Sequence, residues 1–212
     1  MNYSALIVAA GKGSRSGLPY NKVFYEFEGK SVIERTCANF IDDSDCREII
    51  LVINLEEANE FKSRLHNPKI KYAGGGATRQ ESVSNGLELV DNEYVMIHDG
   101  ARCFLEANYL DDLKQCLKTN DACLLMIPVN DTIKEVQDNM VIRTFKRSTL
   151  MAAQTPQCFK TTLISECYQR AKKDGLSASD DAMLVEHYYP LKVKAVLGSY
   201  HNIKITTPAD LK

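Results

Sequence analysis

The stretch Leu6-Ile7-Val8-Ala9-Ala10-Gly11-Lys12-Gly13-Ser14-Arg15-Ser16-Gly17 decides how this chain is read. An apolar run breaks off into glycines and cations, the pattern of a buried strand feeding a loop whose backbone amides face an anion. A dinucleotide, a nucleoside triphosphate and a sugar phosphate all fit that description. The dinucleotide fingerprint G-x-G-x-x-G fails at its last position, which is Ser16. The following strand also ends near Asn54, too far on for the ribose-binding acid expected roughly 20 residues past the loop. No G-x-x-x-x-G-K-[ST] occurs, which sets aside a P-loop. What the segment holds is spaced cations: Arg15, then Lys22 beyond a Gly-Leu-Pro-Tyr-Asn turn. Loop amides at Gly11 and Gly13 could hold phosphates while Arg15 and Lys22 neutralise charge growing at a phosphorus under attack. Lys12 reads as an ordinary surface cation.

Outward from this loop, apolar strands alternate with amphipathic helices. SALIVAA, REIILVIN, IKYAGG, YVMIHDG and DACLLMIPV read as strands. Between them lie a helix from Ser31 to about Ile41, EEANEFKSRL, a helix beginning TRQESVSNGLELV, and NYLDDLKQCLK. Ser31 with Glu34 and Thr78 with Glu81 have the spacing of capping boxes. This rhythm predicts an α/β fold, a mostly parallel twisted sheet with helices on both faces. Further on come the helix TTLISECYQRAKK, a second helix begun by Ser179 and two aspartates, the strand VKAVLGS, and NIKI leading into a helix start with Pro208 at its first position. Residues 131–150 break the pattern: DTIKEV, QDN and MVIRTF read as a hairpin around a polar turn. Val136, Met140 and Ile142 want an apolar partner there, which is either the parent domain, as a flap, or a second copy of the chain, as a dimerisation arm.

The 212 residues, 44% hydrophobic and without a Gly/Ser/Pro linker, predict a single domain over 1–212. A net charge of −2 argues against general nucleic-acid binding. Seven cysteines without a CxxC pair read as reduced thiols, Cys123 in particular as a small buried side chain. The N-terminal apolar run is too short for a signal peptide and nothing reaches the length of a membrane span, so the expected setting is cytoplasmic.

Other segments converge on phosphate chemistry. Gly74-Gly75-Gly76 opens into the helix capped at Thr78, with Ser82 in its first turns, its hydroxyl free for a ligand or bonded to its own helix. His98-Asp99-Gly100-Ala101-Arg102 ends a buried strand where α/β sheets place ligands. Asp99 and Arg102 could pair with each other or hold a metal-nucleotide and a phosphate, while His98 reads as a packing residue. The histidines at 66, 98, 187 and 201 are too scattered for a metal site, so a divalent ion would arrive on the nucleotide. No Ser-His-Asp or Cys-His arrangement stands out, which suits a transfer where a substrate phosphate is the nucleophile.

With these residues in hand, the chain resembles the 2-C-methyl-D-erythritol 4-phosphate cytidylyltransferase family along almost its whole length. The matching segments, in the family's order, are AAGKGSRSG with Lys22, GGGATRQESVSNGL, IHDGAR, PVNDTIK, QTPQCF, SDDAMLVE and NIKITTPADL. The resemblance implies a Rossmann-like nucleotidyltransferase fold with a protruding β-hairpin arm. It also implies transfer of a cytidylyl group from CTP to a sugar-alcohol phosphate with Mg²⁺, releasing pyrophosphate, in non-mevalonate isoprenoid synthesis. Arg15 and Lys22 match residues that stabilise the transition state, and Ala9, Ala10, Gly11, Gly76 and Ser82 match CTP contacts. Asp99 matches an acid near both substrates and is the one candidate to meet the metal. Arg102, Thr132, Thr155 and Ser179 match residues around the acceptor. Arg147 and Lys204 match the cations that orient the attacking phosphate, Arg147 reaching into a neighbouring subunit, which favours the dimerisation arm and a homodimer.

Three positions depart from the family pattern. Asn21 stands where many members have proline before the loop lysine, with Pro19 displaced; Cys103 replaces the usual proline after the arginine; and Ser179 replaces threonine. A sister family that uses ribitol 5-phosphate shares most motifs but tends to carry valine where this chain has Ala101, which favours methylerythritol phosphate. A non-catalytic CTP-binding module of the same fold is the other alternative.

Overall fold

The computed structural model describes residues 1–11 and 13–211, so the reading of Lys12 lies outside them. Among the described residues, eleven strands are β1 Tyr3–Val8, β2 Glu26–Phe27, β3 Lys30–Ser31, β4 Cys46–Ile53, β5 Ile70–Gly74, β6 Tyr94–Asp99, β7 Ala122–Pro128, β8 Lys134–Gln137, β9 Met140–Thr144, β10 Met151–Lys160 and β11 Lys194–Leu197. The α-helices among the same residues are α1 Val32–Asp42, α2 Ala58–Arg64, α3 Arg79–Leu87, α4 Ala107–Leu117, α5 Thr161–Asp174 and α6 Asp181–Tyr188.

Seven strands form one sheet in the order β11-β7-β10-β6-β1-β4-β5, parallel except for β10. Alternation along each strand divides the core between two faces. Ile7, Ile49, Leu51 and Ile53 face α1 and α4, where Ile33, Phe40 and Leu113 meet them. Leu6, Ile50 and Val52 face α3, α5 and α6, against Val83, Ile164 and Leu184. Each of these side chains is fully buried, worth about 1.5–3 kcal/mol apiece before the cost of ordering it. The α/β reading therefore holds.

Strand β10 was not legible as a strand. It lies antiparallel between β6 and β7 in the middle of the sheet, yet its sequence, MAAQTPQCFK, lacks apolar alternation and contains Pro156. Proline cannot donate to a ladder, and the pairing with β7 accordingly shifts register between Ala153 and Gln157. Gln154, Thr155 and Gln157 are buried there, and their polar groups are satisfied by hydrogen bonds to Ser199, His98 and Asp180. The small β2–β3 hairpin also went unread.

Helix starts follow the capping residues, with two adjustments. At α1 the box is complete: Ser31 Oγ accepts from Glu34 N, and Glu34 accepts from Ser31 N at 2.8 Å. At α3, Thr78 caps Glu81 N at 3.0 Å, but the Glu81 carboxylate accepts from Ala77 N instead, so the box is not reciprocal. The N-cap of α6 is Asp180, not Ser179. Residues 208–211 form a 3-10 turn with Pro208 first.

The hairpin β8–β9 forms as expected around Asp138 and Asn139, both at positive φ, the geometry of a two-residue turn that matches strand twist. All its residues are exposed, and Val136, Met140, Val141 and Ile142 are each more than half exposed.

Candidate active site

The chain runs from β1 outward to β4 through α1, and returns on the other side to place β6 beside β1. Such a reversal opens a crevice at the carboxyl ends of the two strands, where α/β sheets bind ligands. Three loops meet there: the glycine loop after β1, the Gly74–Gly76 loop after β5, and the Asp99–Arg102 turn after β6. They enclose a cavity of about 640 Å³ lined by Ala9, Ala10, Gly11, Gly13, Gly76 and Ser82, together with Arg15, Lys22, Asp99 and Lys204.

Two glycines let the loops come this close. A Cβ at Gly75 would sit 2.3 Å from the Ala10 Cβ. Gly13 has φ +65°, and a Cβ on it would lie 3.1 Å from Lys22 Cγ, so the lysine stem rests directly on the loop. Ser82 is nearly buried: its hydroxyl donates to Thr78 O at 2.9 Å and accepts from Gly76 N at 3.0 Å, locking the second loop to α3.

Charge is concentrated in this cavity. Lys22 is buried to 9% exposure in a 3-10 turn Lys22–Phe24. Burial pulls its pKa down, and Lys204 and Arg15 nearby add to the shift. Arg15 is exposed, on a 3-10 turn flanked by left-handed Gly13 and Gly17. Lys204 comes from the C-terminal segment, which is tied down where Ile205 N donates to Ala101 O at 2.9 Å. Its ammonium lies 2.9 Å from Asp99 Oδ2. Asp99 also faces Arg79 Nε at 3.3 Å and Arg102 Nε at 3.5 Å. Burial opposes its charge, but Arg79, Lys204 and Arg102 outweigh that and hold the carboxyl well below the usual carboxylate range.

Arg79, which sequence reasoning missed, organises one wall. Its guanidinium makes a bidentate pair with fully buried Asp181 at 2.9 and 2.8 Å, and Tyr168 donates to the same carboxylate. A signal was present: an arginine in the first turn of a helix sits at the positive end of the dipole and needs an acid, and two aspartates follow Ser179.

The remaining candidates fall into three places. Thr155 is buried beneath Asp99: its hydroxyl accepts from Asp99 N at 3.1 Å and bonds His98 Nδ1 at 3.0 Å. His98 Nε2 bonds Arg102 O at 3.1 Å. A carbonyl oxygen can only accept, so Nε2 carries the imidazole proton and donates to Arg102 O, and Nδ1 of the neutral ring accepts from the Thr155 hydroxyl. His98 is thus a fully buried packing residue, as read, and burial lowers its pKa to about 4. Arg102 Nη1 donates to Asn202 O at 2.6 Å, turning the arginine toward the C-terminal segment. Ser179 is exposed at the entry to α6, its hydroxyl near Met183 Sδ. Thr132 and Arg147 lie at the base of the hairpin and do not line the cavity; Arg147 Nη1 donates to Asn130 O at 2.8 Å.

Among the described residues no group of three His, Cys, Asp or Glu side chains is placed to hold a metal. The donor set therefore fits an ion carried by phosphate oxygens, with Asp99 as the single carboxylate at hand.

Glycine loops at a sheet's switch point, facing a cluster of cations, define a nucleotidyltransferase-type α/β protein. Comparison with known proteins narrows this. Residues 3–212 match the family model described as IspD, 2-C-methyl-D-erythritol 4-phosphate cytidylyltransferase, and the chain belongs to that family. It is 43% identical to the enzyme of that name from Geobacillus thermodenitrificans, covering 100% of this chain and 94% of the relative. It is 41% identical to that from Bacillus velezensis, over 100% and 93%. Among solved structures, 4-diphosphocytidyl-2C-methyl-D-erythritol synthase from Anaerococcus prevotii superposes with a TM-score of 0.89 at 35% identity, covering 99% of this chain and 92% of that one. The cytidylyltransferase from Thermus thermophilus gives 0.81 at 32%, covering 100% and 96%. The chain is an enzyme of the nucleotidyltransferase class, and neither the ribitol 5-phosphate reading nor a module without turnover is favoured.

Proposed function

We propose that the cavity between β1, β5 and β6 transfers a cytidylyl group from CTP to 2-C-methyl-D-erythritol 4-phosphate, giving 4-diphosphocytidyl-2-C-methyl-D-erythritol and pyrophosphate. The observation that carries this reading is the gathering of Arg15 and Lys22, from the N-terminal glycine loop, with Lys204, from the opposite end of the chain, around one glycine-walled cavity. Ala9, Ala10, Gly11, Gly13, Gly76 and Ser82 surround the nucleotide. An acceptor phosphate oxygen attacks the α-phosphorus in line, a new P–O bond forms, and the bond to the β-phosphate oxygen breaks. Arg15 and Lys22 bear on the charge that grows at phosphorus and on the departing pyrophosphate, a role suited to cations placed beside the reacting phosphates. Lys204 and Arg102, both held by Asp99, orient the attacking phosphate; Thr155 shapes that wall from beneath and Ser179 borders it. Mg²⁺ bound to the triphosphate would supply further charge neutralisation, with Asp99 beside it.

Thr132 and Arg147 lie away from the cavity of their own chain, which supports service to the site of a second copy. The exposed apolar hairpin over 131–150 supports the same homodimer, as an arm on the single domain 1–212. Among the described residues no helix is long and apolar enough to cross a membrane. All seven cysteines are free, which supports a cytoplasmic setting. The test is pyrophosphate release, expected only with CTP, Mg²⁺ and methylerythritol phosphate together; equal or faster turnover with ribitol 5-phosphate would overturn the acceptor assignment.

A further inference from the structure

Lys22 shares the cavity wall with Arg15 and Lys204, so its ammonium is held among like charges and its placement depends on the turn that carries it. The residue placed to secure that 3-10 turn is Asn21, which is 2% exposed and begins it. Its Oδ1 accepts from Val23 N at 3.3 Å, capping that turn. Its Nδ2 donates to Ala9 O at 3.3 Å and to Glu57 Oε2 at 2.9 Å. One amide therefore ties together three segments: the end of β1 where the glycine loop starts, the lysine turn, and the turn after β4. The bond to Glu57 is charge-assisted, the strongest kind available to a neutral amide. Glu57 itself lies outside the cavity.

The backbone of Asn21, φ −62° and ψ 123°, is one that proline would also adopt. The chain thus keeps the conformation that a ring would impose and secures it through side-chain hydrogen bonds instead.

We propose that Asn21, braced by Glu57, is a positioning residue that fixes Lys22 for the transfer step. This rests on the part assigned to Lys22 above. Misplacing a reacting group by about 1 Å can cost on the order of 10²-fold in rate, whereas a purely structural asparagine would change melting temperature and leave turnover alone.

The experiment compares Asn21→Ala, Glu57→Ala, Glu57→Gln, Lys22→Ala and the double variant Asn21→Ala/Lys22→Ala, reading kcat, KM for CTP and thermal melting. Asn21→Ala is expected to lower kcat by about ten-fold or more while KM for CTP stays within about three-fold. Glu57→Ala, a half-exposed site that leaves the core intact, lowers kcat in the same direction. Glu57→Gln, which keeps the accepting oxygen, recovers most of it. In the Lys22→Ala background, Asn21→Ala adds nothing further, because its effect runs through the missing ammonium. Wild-type kcat in both Asn21→Ala and Glu57→Ala, or an Asn21→Ala loss undiminished in the Lys22→Ala background, overturns the proposal. Full activity of Lys22→Ala alone would instead refute the underlying role of Lys22.

Discussion

Lys204 Nζ lies 2.9 Å from Asp99 Oδ2, joining the C-terminal segment to the end of the central strand β6. Asp99 pairs with Arg79 and Arg102 as well, so one carboxylate holds three cations in place before substrate arrives. A carboxylate depressed so far stays ionised through the working pH range. Lys204→Ala is expected to raise KM for the acceptor and lower kcat by about 10²–10³-fold, the typical loss of one preorganised charge. Calorimetry should find CTP binding changed much less, since the acceptor side is the one disturbed.

Arg15→Ala and Lys22→Ala are each expected to lower kcat by about 10²–10³-fold. Pyrophosphate-release kinetics check this. Because burial and neighbouring cations lower the Lys22 pKa, the alkaline limb of kcat/KM should fall below the ordinary lysine range. Lys22→Arg, which keeps its proton, should remove that limb.

Asp181 is fully buried and relies on Arg79 for its charge balance. Arg79→Leu is expected to destabilise the fold by about 3–5 kcal/mol, because it leaves an uncompensated buried carboxylate. Urea denaturation of the variant reads the loss directly. Arg79→Leu combined with Asp181→Leu should recover much of it.

His98 offers a pH test of stability. Its folded pKa of about 4 lies below its ordinary value of 6.5. Between those values the unfolded chain takes up a proton that the folded chain refuses, so stability falls as pH drops through that window. At pH 5 the contribution is about 2 kcal/mol. His98→Gln should flatten the slope of unfolding free energy between pH 7 and pH 5 by that amount; an unchanged slope would show that His98 does not titrate as described.

The hairpin gives the last prediction. Met140→Glu with Ile142→Glu places charges on side chains that stand in solvent in the isolated chain. The pair is expected to leave melting temperature nearly unchanged but to yield a monomer by light scattering, with activity lost alongside.

Much of this protein was written in local pattern. Apolar runs at strand spacing, the box at Ser31 and Glu34, and the polar turn at Asp138 and Asn139 specify their elements through contacts within a few residues, which a linear reading can follow. The glycine loops and the cations beside them were legible for the same reason, since each loop carries its own anion-binding amides.

The tertiary structure alone decided the rest. Strand β10 is polar and broken by proline, and only the two flanking strands, with Asp180 and Ser199 beyond them, make its burial tolerable. Arg79 acquires its part from Asp181, 102 positions further along. Asn21 acquires its part from Glu57, and Asp99 from Lys204. Sequence sets what each side chain can donate, accept or neutralise; which partner it meets depends on the order in which the strands join the sheet, and no local pattern records that order.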